Sequence, residues 1–259
     1  MRAALALLLL LVPAAAQAAT TSATPEDIFA LYAKGDYEQA AQAGEASHTG
    51  AGLAIAARAV LADDVLRDEP CMPCLERAER LARAALAADP HQAFGHVWLA
   101  VALGYEARVI GIVRARLKDS PAQSRAALDA AVAEDPKNAY AVSALGGWHI
   151  EVVRGGGATL ARFLYGASES EALGLFDRAA RLTPGNVAVR YQIALALAGF
   201  DAEKYRGRIM TELKAAVSDT AETAYEKKIQ GRAQELLGLF GPAPHDGFDA
   251  LVRKYQGFP

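Results

Sequence analysis

The chain has 259 residues, enough for one large domain or two modest ones, and 53% of them are hydrophobic, with alanine prominent. Because alanine is the strongest helix former, this composition favours an all-α protein over one rich in β-sheet. The formal net charge of −3 is too close to neutral to suggest a nucleic-acid partner or an anionic membrane surface.

Residues 1–19 are typical of a cleaved signal peptide. Arg2 gives a short positive region, an apolar stretch follows, and Ala16-Gln17-Ala18 supplies the small residues that a signal peptidase requires. The apolar stretch is shorter than the roughly 20 residues that span a membrane. We therefore expect cleavage near Ala18 or Ala19 and a soluble periplasmic or secreted product without a stable membrane anchor.

Residues 20–240 are predicted to form one helical repeat domain, because apolar residues recur there at helical spacing between Gly and Pro corners. The first two predicted helices begin at Pro25 and Tyr37, and two further helices lie on either side of Pro136. The others, in chain order, are Ala51–Ala62, Leu75–Ala88, Ala93 to about Leu117, Thr159–Tyr165, Glu171–Leu182, Val187–Gly199, Glu203–Val217 and Thr220–Leu239. Residues 241–259 read as a tail with one short helix, Phe248–Tyr255. No stretch shows sustained period-two alternation, so the fold class is all-α.

Three corner prolines, Pro90, Pro136 and Pro184, are 46 and 48 residues apart and mark an internal repeat. Small or apolar residues lie five, eight and twelve positions before each proline, and a large residue followed by a small one lies nine positions after it. Before the prolines these residues are Ala85, Ala82 and Ala78, then Ala131, Leu128 and Ser124, then Ala179, Phe176 and Ala172; after them they are Leu99-Ala100, Leu145-Gly146 and Ile193-Ala194.

This pattern resembles the tetratricopeptide repeat, and Ala172, Phe176, Ala179 and Pro184 match the second helix of that repeat in residue and spacing. The resemblance implies a solenoid of helical hairpins with about four to five repeats. The usual period is about 34 residues, so each unit here carries roughly a dozen more. The additional residues lie after the first helix of a unit, over 105–121 and 153–167.

Two narrower resemblances accompany this one. Gly146-Gly147-Trp148, an insertion and then Ala172–Asn186 are similar to part of the regulators of microtubule dynamics, which are elongated tetratricopeptide proteins. An exported helical-repeat protein also resembles the periplasmic T-subunits associated with TRAP transporters. Neither resemblance rests on a catalytic motif, so neither implies a catalytic residue here.

Cys71 and Cys74 form a CxxC sequence, the arrangement most similar to a reaction centre. In an oxidising compartment two cysteines in one loop most often form a structural disulfide. A redox dithiol is an alternative, because a helix N-terminus lowers a thiol pKa, although the βαβ context of thioredoxins is missing. A zinc site would need two further ligands, and we predict neither a metal nor a cofactor.

We predict no catalytic residue, and therefore a protein that is not an enzyme. The histidines are scattered without a positioned partner; His96 and His149 fall where packing or a groove wall is expected. No nucleophile motif or phosphate-binding glycine loop is present in the sequence, and Ser120 and Ser168 lie where helix caps are expected.

The resemblance to tetratricopeptide proteins implies a concave groove lined by the first helix of each unit. The wall residues that it implies are Phe94, Val97, Val101, Tyr105, Tyr140, Ser143, Gly147, Glu151, Tyr191 and Leu195. They are mostly apolar and lack the Lys and Arg with which some family members bind a peptide carboxylate. Such a wall suggests a ligand, a partner helix or self-association. The alternative is that the inserted segments fold back and make these residues ordinary core.

Arg108 and Arg154 occupy the same place in successive units, 18 residues after Pro90 and Pro136. They are expected to stack at the ends of neighbouring helices. There they could interact with the terminal carbonyl groups of the helices, or form an anion contact at the mouth of the groove.

These observations predict an exported, non-catalytic scaffold or adaptor that binds a protein or peptide segment in an apolar groove. One alternative is a periplasmic accessory subunit of a transporter that binds an apolar small molecule in the same groove. A thiol-redox protein that uses Cys71 and Cys74 is the third. Homo-oligomerisation is compatible with each of these functions.

Overall fold

The computed structural model describes residues 23–67, 69–240 and 247–258, and within these ranges the chain forms fourteen α-helices and no β-strand. The helices are α1 (Pro25–Lys34), α2 (Tyr37–Ser47), α3 (Gly50–Val65), α4 (Met72–Ala88), α5 (Ala93–Ile110), α6 (Ile112–Leu117), α7 (Ser120–Glu134), α8 (Ala139–Gly156), α9 (Ala158–Tyr165), α10 (Glu169–Leu182), α11 (Val187–Asp201), α12 (Arg206–Ser218), α13 (Ala224–Leu239) and α14 (Phe248–Tyr255). The predicted signal peptide, residues 1–19, lies outside the described residues. Among the described residues, no helix combines the length and the apolar character that crossing a membrane requires.

Most helices pack on their neighbours in the chain, which gives a solenoid of helical hairpins. The pairs α2–α3, α3–α4, α4–α5, α5–α7, α8–α10 and α11–α12 share the most extensive contacts, and α3, α5, α8 and α11 connect one hairpin to the next. The prediction of an all-α helical-hairpin solenoid is confirmed. Its first hairpin turns at Gly35, whose φ of 95° favours glycine.

The three corner prolines lie in three equivalent turns. Each follows a helix-ending residue, and the residue two positions after each proline caps the next helix. The caps are Gln92, Asn138 and Asn186, whose side-chain oxygens accept hydrogen bonds from the backbone N–H groups of Phe94, Ala141 and Val189. The repeat seen in the sequence is therefore a repeat of backbone geometry, and it sets the direction of α5, α8 and α11.

The alternation of small and large residues is explained by close helix packing. A Cβ atom at Gly146 of α8 would lie only 2.7 Å from the ring of Phe176 on α10. Phe176 is buried, and Ala172 and Ala179 are fully buried on the same helix. The large aromatic ring fills the space that the glycine leaves, so α8 and α10 approach closely.

The additional residues form one short helix in each of two units, α6 after α5 and α9 after α8. The sequence predicted one helix from Ala93 to about Leu117, which was wrong, because the helix ends at Ile110 and α6 begins after Gly111. Gly111 has φ 81° and ψ 159°, a conformation that residues with a side chain avoid. Gly157, 46 residues later, has φ 75° and ψ 155° and joins α8 to α9 in the same way.

The C-terminal helix α14 is part of the core rather than a detached tail. Phe248 is buried and stacks on Phe240 with ring centroids 4.6 Å apart. The Gln256 side chain, 2% exposed as a residue, donates a hydrogen bond to the Leu195 carbonyl oxygen at 3.0 Å. These contacts seat the end of the chain on α11 and α13.

Candidate functional site

A central cavity of about 390 Å³ lies between the first helices of the repeat units and the segments that cover them. Most of its lining residues come from α3, α5, α7, α8 and α11, and residues of α6, α9 and the segment after α14 also line it. Among the residues predicted to form a groove, those that line the cavity are Val97, Val101, Tyr105, Tyr140, Ser143, Gly147, Glu151 and Leu195.

Two predicted groove residues do not line the cavity. Phe94 lies outside it, is 36% exposed, and stacks on Trp98 with ring centroids 6.0 Å apart. Tyr191 is fully buried in the core formed by the C-terminal half. The reason is that α12, α13 and α14 all pack on α11, so only part of α11 faces the cavity.

Two glycines leave space in the cavity wall. Gly104 on α5 and Gly147 on α8 line the cavity, and a Cβ atom built at either position would meet no other atom within 4 Å. A Cβ atom could therefore be added at either position without displacing a neighbour, and a longer side chain would begin from the cavity wall.

Arg58 lies at one end of the cavity inside a cluster of aromatic rings. Its guanidinium carbon is 4.3 Å from the ring centroid of Tyr32 and 5.4 Å from those of Trp98 and Tyr140, distances that allow cation–π attraction. It is also 5.4 Å from the ring of Phe29. Within the part of the chain that the structure describes, Arg58 forms no ion pair with a carboxylate.

The ring of Tyr32 remains neutral beside this cation. Burial raises the pKa of Tyr32 to about 12, against a smaller opposing effect of the Arg58 guanidinium. The sequence analysis did not predict the site around Arg58. A signal was present, since Arg58 is the one charged residue of the alanine-rich stretch Ala51–Ala62, and a charge within an apolar helix needs a partner.

Arg108 and Arg154 meet at the other end of the cavity, around a carboxylate of the chain itself. Glu151 lies between them, with its Oε1 3.3 Å from Arg108 Nη2 and its Oε2 2.5 Å from Arg154 Nη2. The predicted stacking thus brings the two arginines together, and Glu151 supplies the anion that they contact.

The same two arginines also hold the C-terminal segment. Arg108 Nη1 donates a hydrogen bond to the Gln256 carbonyl oxygen at 2.8 Å, and Arg154 Nη1 approaches the Gly199 carbonyl oxygen at 3.5 Å. The Phe258 ring lies 4.6 Å from the Arg154 guanidinium and 5.7 Å from that of Arg108. This end of the cavity is therefore lined by paired charges and by Phe258.

Cys71 and Cys74 lie at the start of α4, and neither lines the central cavity. Their sulfur atoms are at disulfide distance, as the predicted pairing requires, and Cys71 is the residue that precedes the first turn of the helix. The Cys71 N–H donates a hydrogen bond to Asp64 Oδ1 at 2.8 Å. Asp64 and the two sulfurs form a group with metal-ligand spacing, but sulfurs that are bonded to each other offer no thiolate.

The two histidines that the sequence placed near a wall have structural contacts. His149 is buried, and its Nδ1 accepts a hydrogen bond from the Ser168 N–H at 3.1 Å. Burial lowers the pKa of His149, which favours the neutral ring that can accept this bond. His96 Nε2 lies 3.0 Å from the Pro90 carbonyl oxygen and contributes to the corner before α5.

Comparison with known proteins gives one family. No curated protein matches the chain in sequence. The family model described as "Regulator of microtubule dynamics protein 1-3" matches residues 30–241, most of the chain, from within α1 to just after α13. This range contains all the repeat units and the helices that form the cavity walls, and the chain belongs to the family of regulators of microtubule dynamics, proteins 1–3.

Proposed function

We propose that this protein is a non-catalytic helical scaffold that binds an apolar small molecule in its central cavity. The observation that carries the proposal is the cavity itself, whose volume of about 390 Å³ lies within the usual range of ligand sites. Aliphatic and aromatic side chains form most of its wall. Membership of the family supports an interaction scaffold with this architecture.

The geometry favours a small molecule over the peptide segment that the sequence analysis placed first. A partner helix requires an open groove of several turns. Here α6, α9 and the C-terminal segment add their residues to the wall, and at one end Arg108, Glu151 and Arg154 pair with one another rather than standing ready for a peptide.

Arg58 defines the chemistry of the bound molecule. Its guanidinium lines the cavity and is surrounded by aromatic rings. An anionic group could reach it without displacing a carboxylate, and in a water-poor site the attraction would be stronger than in water. We expect a molecule with an apolar body and one anionic or strongly polar end that faces Arg58.

The test uses cavity-filling variants and the full chain. The probe is cis-parinaric acid, a carboxylate with an apolar polyene tail whose fluorescence rises in an apolar enclosure. Gly104→Leu and Gly147→Leu should each weaken binding by at least about tenfold, equivalent to about 1.4 kcal/mol. Gly174→Leu is the matched control, since Gly174 also has open space around it but lies on α10 outside the cavity wall.

A folding defect is not expected to explain the loss of probe binding in the Gly104→Leu and Gly147→Leu variants. Replacing a glycine inside a helix stabilises the helix by about 0.5–1 kcal/mol, so the filled variants should unfold at the same or a higher temperature than the original protein. Binding that is equal in the original protein, the two filled variants and the control would exclude the cavity as the site.

A protein segment is the second candidate, and the exposed aromatic cluster favours it. The ring centroids of Phe94, Trp98 and Tyr140 are 6.0 to 6.3 Å apart; Trp98 and Tyr140 line the cavity, whereas Phe94 lies outside it and is exposed. A partner bound there should be lost from native pull-downs with Phe94→Ala and retained with Gly147→Leu. Retention with Phe94→Ala would argue against this surface.

The proposal includes export of the protein to the periplasm or the exterior of the cell. The signal-peptide pattern of residues 1–19 supports export to the periplasm or the exterior, and the tetratricopeptide pattern supports a common origin with that superfamily. A role as an accessory subunit of a transporter, like the T-subunits, agrees with an apolar ligand. Cell fractionation with an antibody to the chain tests export directly.

A further inference from the structure

The exposed apolar side chains are concentrated on the two short helices. Of the eight large hydrophobic residues that are exposed in the described part of the chain, six belong to α6 and α9. They are Ile112, Val113, Leu117, Leu160, Phe163 and Leu164. Leu117 and Phe163 are each 84% exposed, which is unusual for large apolar side chains grouped on one region of a surface.

The two helices present their residues in the same register. With an offset of 46 residues, Leu117 corresponds to Phe163 and Arg116 to Arg162. Ala115 and Ala161 also correspond, and both are buried at 3% and 1% exposure.

The equivalent glycines explain this register. Gly111 and Gly157 have nearly identical backbone angles, so α6 leaves α5 as α9 leaves α8. Because α5 and α8 pack on each other, the two short helices lie over neighbouring parts of the solenoid, with their alanines inward and Leu117 and Phe163 outward.

The charges on this surface are all of one sign. Helix α6 carries Arg114 and Arg116, Lys118 follows it, and α9 carries Arg162; neither helix contains an acidic residue. The nearest acid in sequence is Asp119, at the start of α7. Within the described residues none of the four cations forms an ion pair, and all four are exposed. The net charge of −3 therefore conceals a local cationic surface.

We propose that the outer faces of α6 and α9 dock on an anionic lipid membrane. Apolar side chains that project from a cationic surface match the boundary between lipid headgroups and acyl chains, where leucine and phenylalanine enter the apolar layer and arginine and lysine meet the phosphates. Neither helix carries an acidic side chain, so the charge of this surface is complementary to anionic headgroups. The inference does not depend on whether the cavity holds a ligand.

The test is flotation of the full chain with vesicles. Vesicles of phosphatidylcholine with phosphatidylglycerol should carry the protein upward, and vesicles of phosphatidylcholine alone should carry much less. The double variant Leu117→Ser with Phe163→Ser should reduce the bound fraction at least about fivefold, and so should the triple variant Arg114→Gln, Lys118→Gln and Arg162→Gln. Since every variant retains residues 1–22, any binding by that segment is common to all of them.

A charge-matched control separates docking from nonspecific attraction. Lys214→Gln, Lys227→Gln and Lys228→Gln remove the same number of positive charges from exposed positions on α12 and α13, and this variant should bind like the original protein. In Phe163→Trp the emission of the new indole should shift to shorter wavelength when anionic vesicles are added.

Two results would overturn the proposal. One is equal binding of the original protein and the double variant to anionic vesicles. The other is an absence of vesicle binding combined with a dimer, seen by analytical ultracentrifugation, that the double variant abolishes; the surface would then join two copies of the chain.

Discussion

Glu106 is a buried carboxyl group whose protonation should control the stability of the protein between weakly acidic and weakly alkaline pH. The residue lies on α5 and is 3% exposed, and its Oε1 has no hydrogen-bond partner among the described residues. Burial, together with the neighbouring Glu79 carboxylate, raises the pKa of Glu106 to about 7 from its ordinary 4.5. Ionisation of Glu106 is therefore unfavourable in the folded protein.

The magnitude follows from linkage between protonation and folding. The rise from 4.5 to about 7 corresponds to at most about 3 kcal/mol, and relaxation and water entry reduce the expected effect to about 1–3 kcal/mol. Because the folded pKa lies above the unfolded one, the stabilising contribution of the protonated group is complete below pH 4.5. It is lost as the pH rises through 7.

The variant Glu106→Gln keeps the shape of the protonated side chain and cannot ionise. We expect it to exceed the original protein in free energy of unfolding by about 1–3 kcal/mol at pH 8.5, and by much less at pH 5. Urea unfolding followed by circular dichroism at the two pH values measures both differences.

Glu69→Gln is the control, because Glu69 is exposed and forms no ion pair within the described residues. Its difference from the original protein should be small and should not change with pH. A difference for Glu106→Gln that is the same at pH 5 and pH 8.5 would refute the argument that burial disfavours the ionised form.

Three further predictions concern the cavity end, the cysteines and the short helices. Glu151→Gln should lower the free energy of unfolding by about 1–3 kcal/mol, since it leaves two half-buried arginines without their carboxylate, and it should speed proteolysis after α14. Thiol reagents should label no cysteine of the unreduced, unfolded protein. Replacing Cys71 and Cys74 by serine should destabilise it by about 2 kcal/mol without loss of probe binding; labelling of either cysteine in the unreduced protein would contradict a structural disulfide. Gly111→Ala should destabilise by about 1–3 kcal/mol, whereas Gly104→Ala should be neutral or stabilising.

The sequence was sufficient for the fold because the signals that define the hairpins are local. Pro90 and the cap residue that follows it are two positions apart, and the spacing of Ala172, Phe176 and Ala179 lies within one helix. Each of these signals involves residues of only one turn or one helix face. Their repetition indicates how successive units stack, which gave the first helix of each unit, and most of the residues predicted for the groove line the cavity.

The sequence was insufficient to predict contacts between segments that are distant in the chain. It was also insufficient at a residue that is compatible both with the interior of a helix and with its end. Arg58 is surrounded by rings from α1, α5 and α8, and Arg108 contacts the Gln256 carbonyl 148 residues away. No local pattern contains these contacts. Gly111 is another case, because a glycine is tolerated within a helix and also permits its end; only the surrounding packing decides.

The lengthening of the repeat accounts for both proposed surfaces. A hairpin of the usual length would leave the first helix of each unit open toward the groove. Here Gly111 and Gly157 end those helices and begin α6 and α9, whose Ala115 and Ala161 are buried and line the cavity. Helices of six and eight residues can bury only one narrow face, so the same insertion that covers the cavity must expose the opposite face. In both units this opposite face is apolar and cationic, with Leu117 and Phe163 in equivalent positions. Covering the cavity does not require such a face, whereas membrane docking gives a reason for it.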